Sequence, residues 1–236
     1  MQLGLSHLNG RGVEKNEKSA VEYFEKASSA GKVLAKNNLG ICALNGTGMR
    51  EDQSKAFKYF ADASKLGCYE AKFNLGLCYS QGWGCLTSME KAIEQWREVA
   101  EQGHVKANLH LGICFLKGLK VEQNDVQAMK CFQNAANLND CEALRYLGEY
   151  YDKGGMGVEK NSAKSLECYR KILELEGSSS KGIAQKIDEL ERKVRRDSNR
   201  SSGSASPVVP EKKGSSSLLN KFTLRRGSKS GEKTKE

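Results

Sequence analysis

The sequence lacks the segments and motifs that mark membrane proteins and the common enzyme classes. It has no apolar run long enough for a membrane-spanning helix, which needs about 20 residues. It has no Walker phosphate loop, no HExxH zinc motif, no GxSxG elbow and no CxxC pair. The first residues, MQLGLSHLNGRG, already follow the repeat described below, so no secretory signal peptide is expected before the fold. These absences favour a non-enzymatic protein without a cofactor in the cytoplasm, with the nucleus as an alternative.

Positive charge is concentrated at one end of the chain. The 236 residues carry a formal net charge of +9. From Arg192 to Glu236 there are 13 Lys and Arg against 4 Asp and Glu, a net charge of +9, which leaves 25 of each sign before Arg192. The chain-wide charge therefore says nothing about the surface of the earlier region.

A period of 36 residues organises the chain up to about residue 176. The dipeptide Leu-Gly marks it at Leu3-Gly4, Leu39-Gly40, Leu75-Gly76, Leu111-Gly112 and Leu147-Gly148. A second column consists of aromatic residues, at Phe24, Phe60, Trp96 and Phe132. A period of this length, kept over five copies, predicts a repeat architecture.

Each unit predicts two helices. In the first, Ala71, Leu75 and Cys78 follow i, i+4, i+7 spacing, and Ala92, Trp96 and Val99 do the same in the second. Gly82 is expected to end the first helix in a left-handed cap, and Gly103 to end the second. N-cap residues precede the second helix of every unit, at Asn16, Asp52, Ser88, Asn124 and Asn161.

The glycine of Leu-Gly lies inside a predicted helix, where it costs about 1 kcal/mol relative to alanine. Because five units accept this cost, we expect the missing side chain to let a neighbouring helix approach closely.

The segments NLGLCYSQGWG and KAIEQWREVAEQG, residues 74–84 and 91–103, resemble the Sel1-like repeat, a relative of the tetratricopeptide repeat. The resemblance covers roughly residues 1–176. It implies an all-α fold, an α/α solenoid of five helix-turn-helix repeats, whose groove binds protein partners.

The predicted organisation has three parts. The repeat array occupies residues 1–176, with repeats near 1–31, 32–67, 68–103, 104–139 and 140–176. A capping helix follows at 177–197; Ser178–Ser180 can cap it, and Ile183, Ile187, Leu190 and Val194 share one face. Residues 198–236, rich in Ser, Gly, Lys and Arg, read as a disordered basic tail. The first repeat lacks the opening turn of its first helix, so we expect further chain, or another element, before it.

The eight cysteines are expected to be reduced. Cys42, Cys78 and Cys114 share one repeat position, and its other occupants are ordinary side chains, as expected of core fillers. Some secreted relatives carry a cysteine pair in each repeat, but neither Cys68 nor Cys141 has the matching partner nearby. A reducing compartment is therefore favoured. His110 and Cys114 lie four residues apart, but a structural zinc site needs four ligands, so no metal is expected.

The candidate groove position is the residue before the repeated Leu, because it lies beside the packed stripe. It is occupied by Asn38, Asn74, His110 and Tyr146. By resemblance to tetratricopeptide repeats, an asparagine there can hold an extended peptide. The alternative is that the asparagine bonds within the scaffold. Lys72 and Arg145 are nearby variable positions that could meet an acidic partner.

The tail contains Arg225-Arg226-Gly227-Ser228, the pattern of basophilic kinases, which read arginines two and three residues before the serine. Phosphorylation of Ser228 could control weak contact with an anionic membrane or create a site for a phosphoserine-binding protein. Nucleic acid is not expected as a partner, because Phe222 is the one aromatic residue of the tail.

Together these patterns predict a protein-binding adaptor with a regulatory tail. The alternative is a non-catalytic regulatory segment of a larger signalling enzyme or of a membrane-associated quality-control complex. A hydrolase, the third class, is disfavoured by the missing cysteine pairs.

Overall fold

The computed structural model describes residues 1–155, 157–177 and 181–202. Residues Met1–Arg196 form one compact unit, and a second unit begins at Asp197, of which Asp197–Ser202 are described. The predicted caps Ser178–Ser180 and the tail from 203 to 236, including Ser228, lie outside the described residues.

The described residues form eleven α-helices. They are α1 Gln2–Asn9, α2 Glu17–Ser29, α3 Val33–Asn45, α4 Gln53–Lys65, α5 Tyr69–Gln81, α6 Met89–Ala100, α7 Val105–Lys117, α8 Asp125–Asn137, α9 Cys141–Lys153, α10 Ser162–Glu176 and α11 Lys181–Ser202. From α1 to α10 each helix packs on the next in sequence, and α3 also contacts α5, the first helix of the following repeat. The all-α solenoid expected from the sequence is therefore the fold that is observed.

The second helix of every repeat begins at a side-chain cap. Asn16, Asp52, Ser88, Asn124 and Asn161 each accept a hydrogen bond from the backbone N–H three residues later, at 2.8–3.3 Å. The cap prediction is thus confirmed at all five positions, and each cap satisfies one of the backbone donors that a helix start leaves without a partner.

Left-handed glycines shape the turns on both sides of these helices. Gly82 caps α5 with φ 78°, as predicted. Gly103 closes the C-terminal end of α6, as predicted: the helix stops at Ala100, and Gly103 follows in the left-handed conformation with φ 81°. The N–H of Gly103 bonds to Ala100 O at 2.9 Å, and the N–H of His104 bonds to Val99 O at 3.0 Å, which is the bond pair of a Schellman cap.

The glycines of Leu-Gly are where an aromatic ring of the second helix packs on the first. A Cβ placed on Gly40 would lie 2.5 Å from Phe60 Cε1, and one placed on Gly112 would lie 2.5 Å from Phe132 Cε1. Real side chains do not approach that closely. The prediction of a close approach is therefore confirmed, and the group that approaches is the ring of the aromatic column.

Helix α11 seals the C-terminal end of the array. Ile183, Ile187 and Leu190 are buried in the same apolar cluster as residues of α8, α9 and α10, with Val194 partly buried against it. This apolar face is the one the sequence indicated. The helix begins at Lys181 and continues to Ser202.

A buried carboxylate fixes α11 on the last repeat. Asp152 on α9 accepts hydrogen bonds from Lys186 Nζ at 2.9 Å and Lys193 Nζ at 2.9 Å. Repeats two, three and four have the uncharged residues Leu44, Ser80 and Leu116 at the position of Asp152. The final repeat therefore carries a charge that fits a lysine-bearing helix.

Candidate partner-binding face

The first helices of repeats two to five share one stripe of solvent-accessible side chains. Its side chains are spaced i, i+4, i+7, i+11 and are all exposed or half-buried. We call this surface the first-helix face. It consists of Leu34, Asn38, Ile41, Asn45, Glu70, Asn74, Leu77, Gln81, Lys106, His110, Ile113, Lys117, Glu142, Tyr146, Glu149 and Lys153.

The four candidate groove residues all lie on this face and are half-buried. His110 stacks on Trp96 of the preceding repeat, with ring centroids 4.8 Å apart. Tyr146 stacks on Phe132 in the same way, at 4.6 Å and an interplanar angle of 4°. These rings therefore contribute to packing between repeats as well as to the surface.

The two asparagines differ from each other. Asn74 donates from Nδ2 to Asn37 Oδ1 of the preceding repeat at 2.9 Å. This is the alternative in which the asparagine forms a hydrogen bond within the repeat array. For Asn38, no side-chain hydrogen bond is found among the described residues. Its amide is therefore available to a ligand in a way that the amide of Asn74 is not.

Lys72 and Arg145 are each balanced by a glutamate of their own repeat. Lys72 forms an ion pair with Glu98 on α6. Arg145 donates from Nη2 to both carboxylate oxygens of Glu176 on α10, at 3.2 and 3.1 Å. Neither belongs to the first-helix face, since their side chains turn towards the second helix.

The Lys72 pair belongs to a column of polar links that the sequence analysis missed. Lys36 faces Asp62 at 4.0 Å, and Asn108 faces Asn134 at 3.4 Å, each pair being 26 residues apart like Lys72 and Glu98. A search for complementary residues at that separation could have revealed it. The exposed ion pairs of this column contribute little to stability.

An apolar row on the same face was also missed. Ile41, Leu77 and Ile113 succeed one another at 36-residue intervals, and Ile41 is 39% exposed. The fourth member of the row is Glu149. On α3 the face has no ionisable side chain, whereas on α9 it carries Glu142, Glu149 and Lys153. The face thus changes from apolar and amide-bearing to charged along the array.

Two imidazoles lie in an aromatic cluster between repeats three and four. Phe73 is 4.8 Å from His104 and 5.5 Å from His110, measured between ring centroids. Burial lowers the pKa of both histidines; at His104 the charge of Glu70 opposes this shift, and repulsion from Lys106 adds to it at both rings. Neutral imidazoles are therefore favoured at physiological pH.

The cysteines are placed as core residues rather than as nucleophiles. Cys42, Cys78 and Cys114 are buried, and all eight thiols are free. Burial raises the pKa of Cys78 to about 12 and the pKa of Cys114 to about 11, so both stay protonated at neutral pH. In the part of the chain that the structure describes, no group of three His, Cys, Asp or Glu side chains could hold a metal ion.

No helix among the described residues is both long and apolar enough to cross a membrane.

Comparisons with protein families and solved structures agree with the helical repeat fold described above. The family model for the Sel1 repeat matches residues 1–32, 33–68, 70–104, 105–140 and 141–176. No curated protein sequence matches the chain.

Several solved structures are similar to the chain. A Sel1 repeat protein from Oxalobacter formigenes has a TM-score of 0.71 and 24% identity, with 82% of this chain and 86% of that one covered. The protective antigen c5321 of uropathogenic Escherichia coli strains, which displays an SLR fold, has a TM-score of 0.66 and 24% identity. The match covers 83% of this chain but only 45% of c5321. The immunity protein Pa5087 from Pseudomonas aeruginosa has a TM-score of 0.55 and 18% identity, covering 81% of this chain and 76% of that one. At these identities the similarity shows the fold.

Proposed function

Because this chain belongs to the Sel1 repeat family, whose members generally mediate protein–protein interactions, we propose that it is a non-enzymatic adaptor that binds a protein partner along the first-helix face. The observation that carries the proposal is the coincidence of two rows on one surface. Half-buried polar and aromatic side chains recur next to the apolar row Ile41, Leu77 and Ile113. Ile41 is exposed, and Leu77 and Ile113 are half-buried. Apolar side chains beside hydrogen-bonding ones are the composition of a protein-binding surface.

The rows favour a partner segment that lies across several repeats. A solenoid offers the same side-chain position once per repeat, so a ligand running along the array meets each row in turn. Aliphatic side chains of the partner would cover Ile41 and Leu77. Asn38, whose amide has no side-chain partner among the described residues, is the residue best placed to hydrogen-bond a backbone group of the partner.

Binding rather than catalysis is supported by the chemistry of the described side chains. The buried thiols Cys78 and Cys114 have raised pKa values, which disfavours the thiolate, and the two imidazoles of the Phe73 cluster are engaged in ring stacking. Family members are typically non-catalytic scaffolds.

The experiment uses site-specific photo-crosslinking with one matched control. Benzoylphenylalanine is placed at Ile41, on the first-helix face, or at Leu66, an equally apolar residue that is 58% exposed and lies after α4, away from that face. We expect a crosslinked partner of defined mass from position 41 but not from position 66. In pull-downs with chains that carry no crosslinker, this partner should be lost on Ile41→Asp and kept on Leu66→Asp. Equal crosslinking from both positions would contradict the proposal.

We further propose that the tail regulates the adaptor through Ser228. Phosphate would add about −1.5 to −2 charges beside Arg225 and Arg226. The full chain and a chain ending at Asp197 are compared in the crosslinking assay, and in co-sedimentation with anionic vesicles before and after phosphorylation of Ser228. A phosphate-dependent change in either assay supports regulation. Identical behaviour of all forms would contradict it.

A further inference from the structure

A second arginine-directed motif lies on helix α11. The sequence Arg195-Arg196-Asp197-Ser198 places arginines three and two residues before a serine, in the same arrangement as residues 225–228 of the tail. We propose that Ser198 is a phosphorylation site for a basophilic protein kinase that reads the two arginines of α11. This inference does not depend on the adaptor function.

The exposure of this segment makes it accessible. The apolar stripe of α11 ends at the half-buried Val194, after the buried Ile183, Ile187 and Leu190. Helical spacing would next bring Asp197 and Ser198 to that side, yet every side chain from 195 to 199 is exposed. The two arginines and the acceptor are therefore all presented to solvent.

The helical backbone at Ser198 can open at small cost. Ser198 lies four residues before Ser202, the last residue of α11 that the structure describes. The last four carbonyl groups of a helix have no partner within it, and terminal turns open more readily than packed ones. A kinase that takes an extended substrate therefore needs to unwind only a terminal segment whose side chains are exposed.

The reaction is an ordinary phosphoryl transfer from a nucleoside triphosphate. Ser198 Oγ forms a bond to the γ-phosphorus of Mg·ATP, and the bond from that phosphorus to the β–γ bridging oxygen breaks, so that ADP leaves with the electron pair. The hydroxyl proton passes to the catalytic carboxylate of the kinase. Acidic side chains of the kinase would pair with the guanidinium groups of Arg195 and Arg196.

The phosphate would change both the charge and the folding of this helix end. Residues 195–202 carry three arginines and one aspartate, a net charge of +2. A phosphoserine contributes about −1.5 to −2, which brings the segment close to neutral. Negative charge near a helix C-terminus is unfavourable with respect to the helix dipole. Phosphorylated Ser198 is therefore expected to loosen the last turns of α11 while the buried part stays in place.

The test uses the full chain with Ser215→Ala and Ser228→Ala, because both serines of the tail follow basic residues at the third and second positions before them. It is incubated with the catalytic subunit of cyclic-AMP-dependent protein kinase and Mg·ATP, and phosphates are counted by intact-mass spectrometry and located by fragmentation. We expect one phosphate, on Ser198, and an initial rate at least tenfold lower when Arg195 and Arg196 are both changed to Gln. Ser201 is the matched control acceptor, because the residues three and two positions before it are Ser198 and Asn199 rather than arginines.

Failure to label Ser198, equal labelling of Ser201, or a rate indifferent to the arginine changes would overturn the proposal. Labelling of Ser228 in a Ser198→Ala chain is measured in parallel, so that an outcome at one serine is not mistaken for the other. In the phosphorylated chain, amide exchange across residues 195–202 should become several-fold faster while that of Ile183–Leu190 is unchanged. Slower exchange across 195–202 would contradict the loosening of the helix end.

Discussion

Replacing Gly76 by Ala should destabilise the protein, although alanine is the better helix former. The added Cβ would lie 2.7 Å from Trp96 Cδ1, about 1 Å inside an ordinary carbon–carbon contact. The indole has little room to retreat, because His110 stacks on it at 4.8 Å and its Nε1 donates to Phe73 O at 3.2 Å. The added carbon must therefore displace a ring that is held by its neighbours.

The expected size of the effect follows from three contributions. Overpacking costs about 1–3 kcal/mol, and weakening the Nε1 hydrogen bond costs about 1 kcal/mol. The higher helix propensity of alanine stabilises the helix by about 1 kcal/mol relative to glycine. We therefore expect the free energy of unfolding to fall by about 1–3 kcal/mol for Gly76→Ala, and by more for Gly76→Leu.

The assay is urea denaturation followed by circular dichroism, with Gly182→Ala as the matched control. Gly182 is also helical, but a Cβ there would meet nothing within 4 Å, so this change should stabilise the protein by up to about 1 kcal/mol. Trp96→Leu in the Gly76→Ala chain should reduce the cost of the alanine, because the smaller side chain can move aside. The reasoning would be refuted if the Gly76→Ala protein were as stable as the parent protein. It would also be refuted if Trp96→Leu did not change the free-energy cost of the alanine.

Three further predictions concern a buried charge, pH and backbone strain. Asp152→Asn should cost about 1–3 kcal/mol, because Lys186 and Lys193 lose a buried carboxylate; unchanged urea midpoints and unchanged amide protection of α11 would contradict this. Burial lowers the pKa of His110 below the ordinary histidine value of about 6.5, so the unfolded chain binds the proton more tightly and stability should fall as pH drops below that value. His110→Phe should reduce this pH dependence in urea titrations. An equal pH dependence in both proteins would exclude His110 as its cause. Lys120 has φ 54°, so Lys120→Gly should raise the free energy of unfolding by about 1 kcal/mol, and a lower free energy of unfolding would show that its backbone is not strained.

The regular features of the fold could be predicted because each has a local cause. The N-caps Asn16 and Asp52 act on a backbone N–H three residues away, and Gly82 needs only its own left-handed conformation. The sequence also indicated that Gly76 avoids a clash. It did not indicate that Trp96 fills the space, because the partner depends on how two helices cross, which no spacing within one helix specifies.

The candidate site was predicted only in part. The residue before the repeated Leu does lie on the first-helix face, at Asn38 and Tyr146 alike. The residue at this position also contacts the preceding repeat, as Tyr146 does by stacking on Phe132. A contact between two repeats could not be predicted from the pattern within one repeat. Lys72 appeared available to a partner because its glutamate, Glu98, is 26 residues away in sequence.

The stacking of Tyr146 on Phe132 and of His110 on Trp96 means that the repeats are not interchangeable modules. The ring of Trp96 lies against Gly76 of its own repeat and stacks on His110 of the next repeat. The ring of Phe132 lies against Gly112 and stacks on Tyr146 in the same manner. Excising residues 105–140, one whole family unit, would keep the period but bring Tyr146 onto the indole of Trp96. The junctions, rather than the repeats, are thus the units that must be inherited or transplanted together.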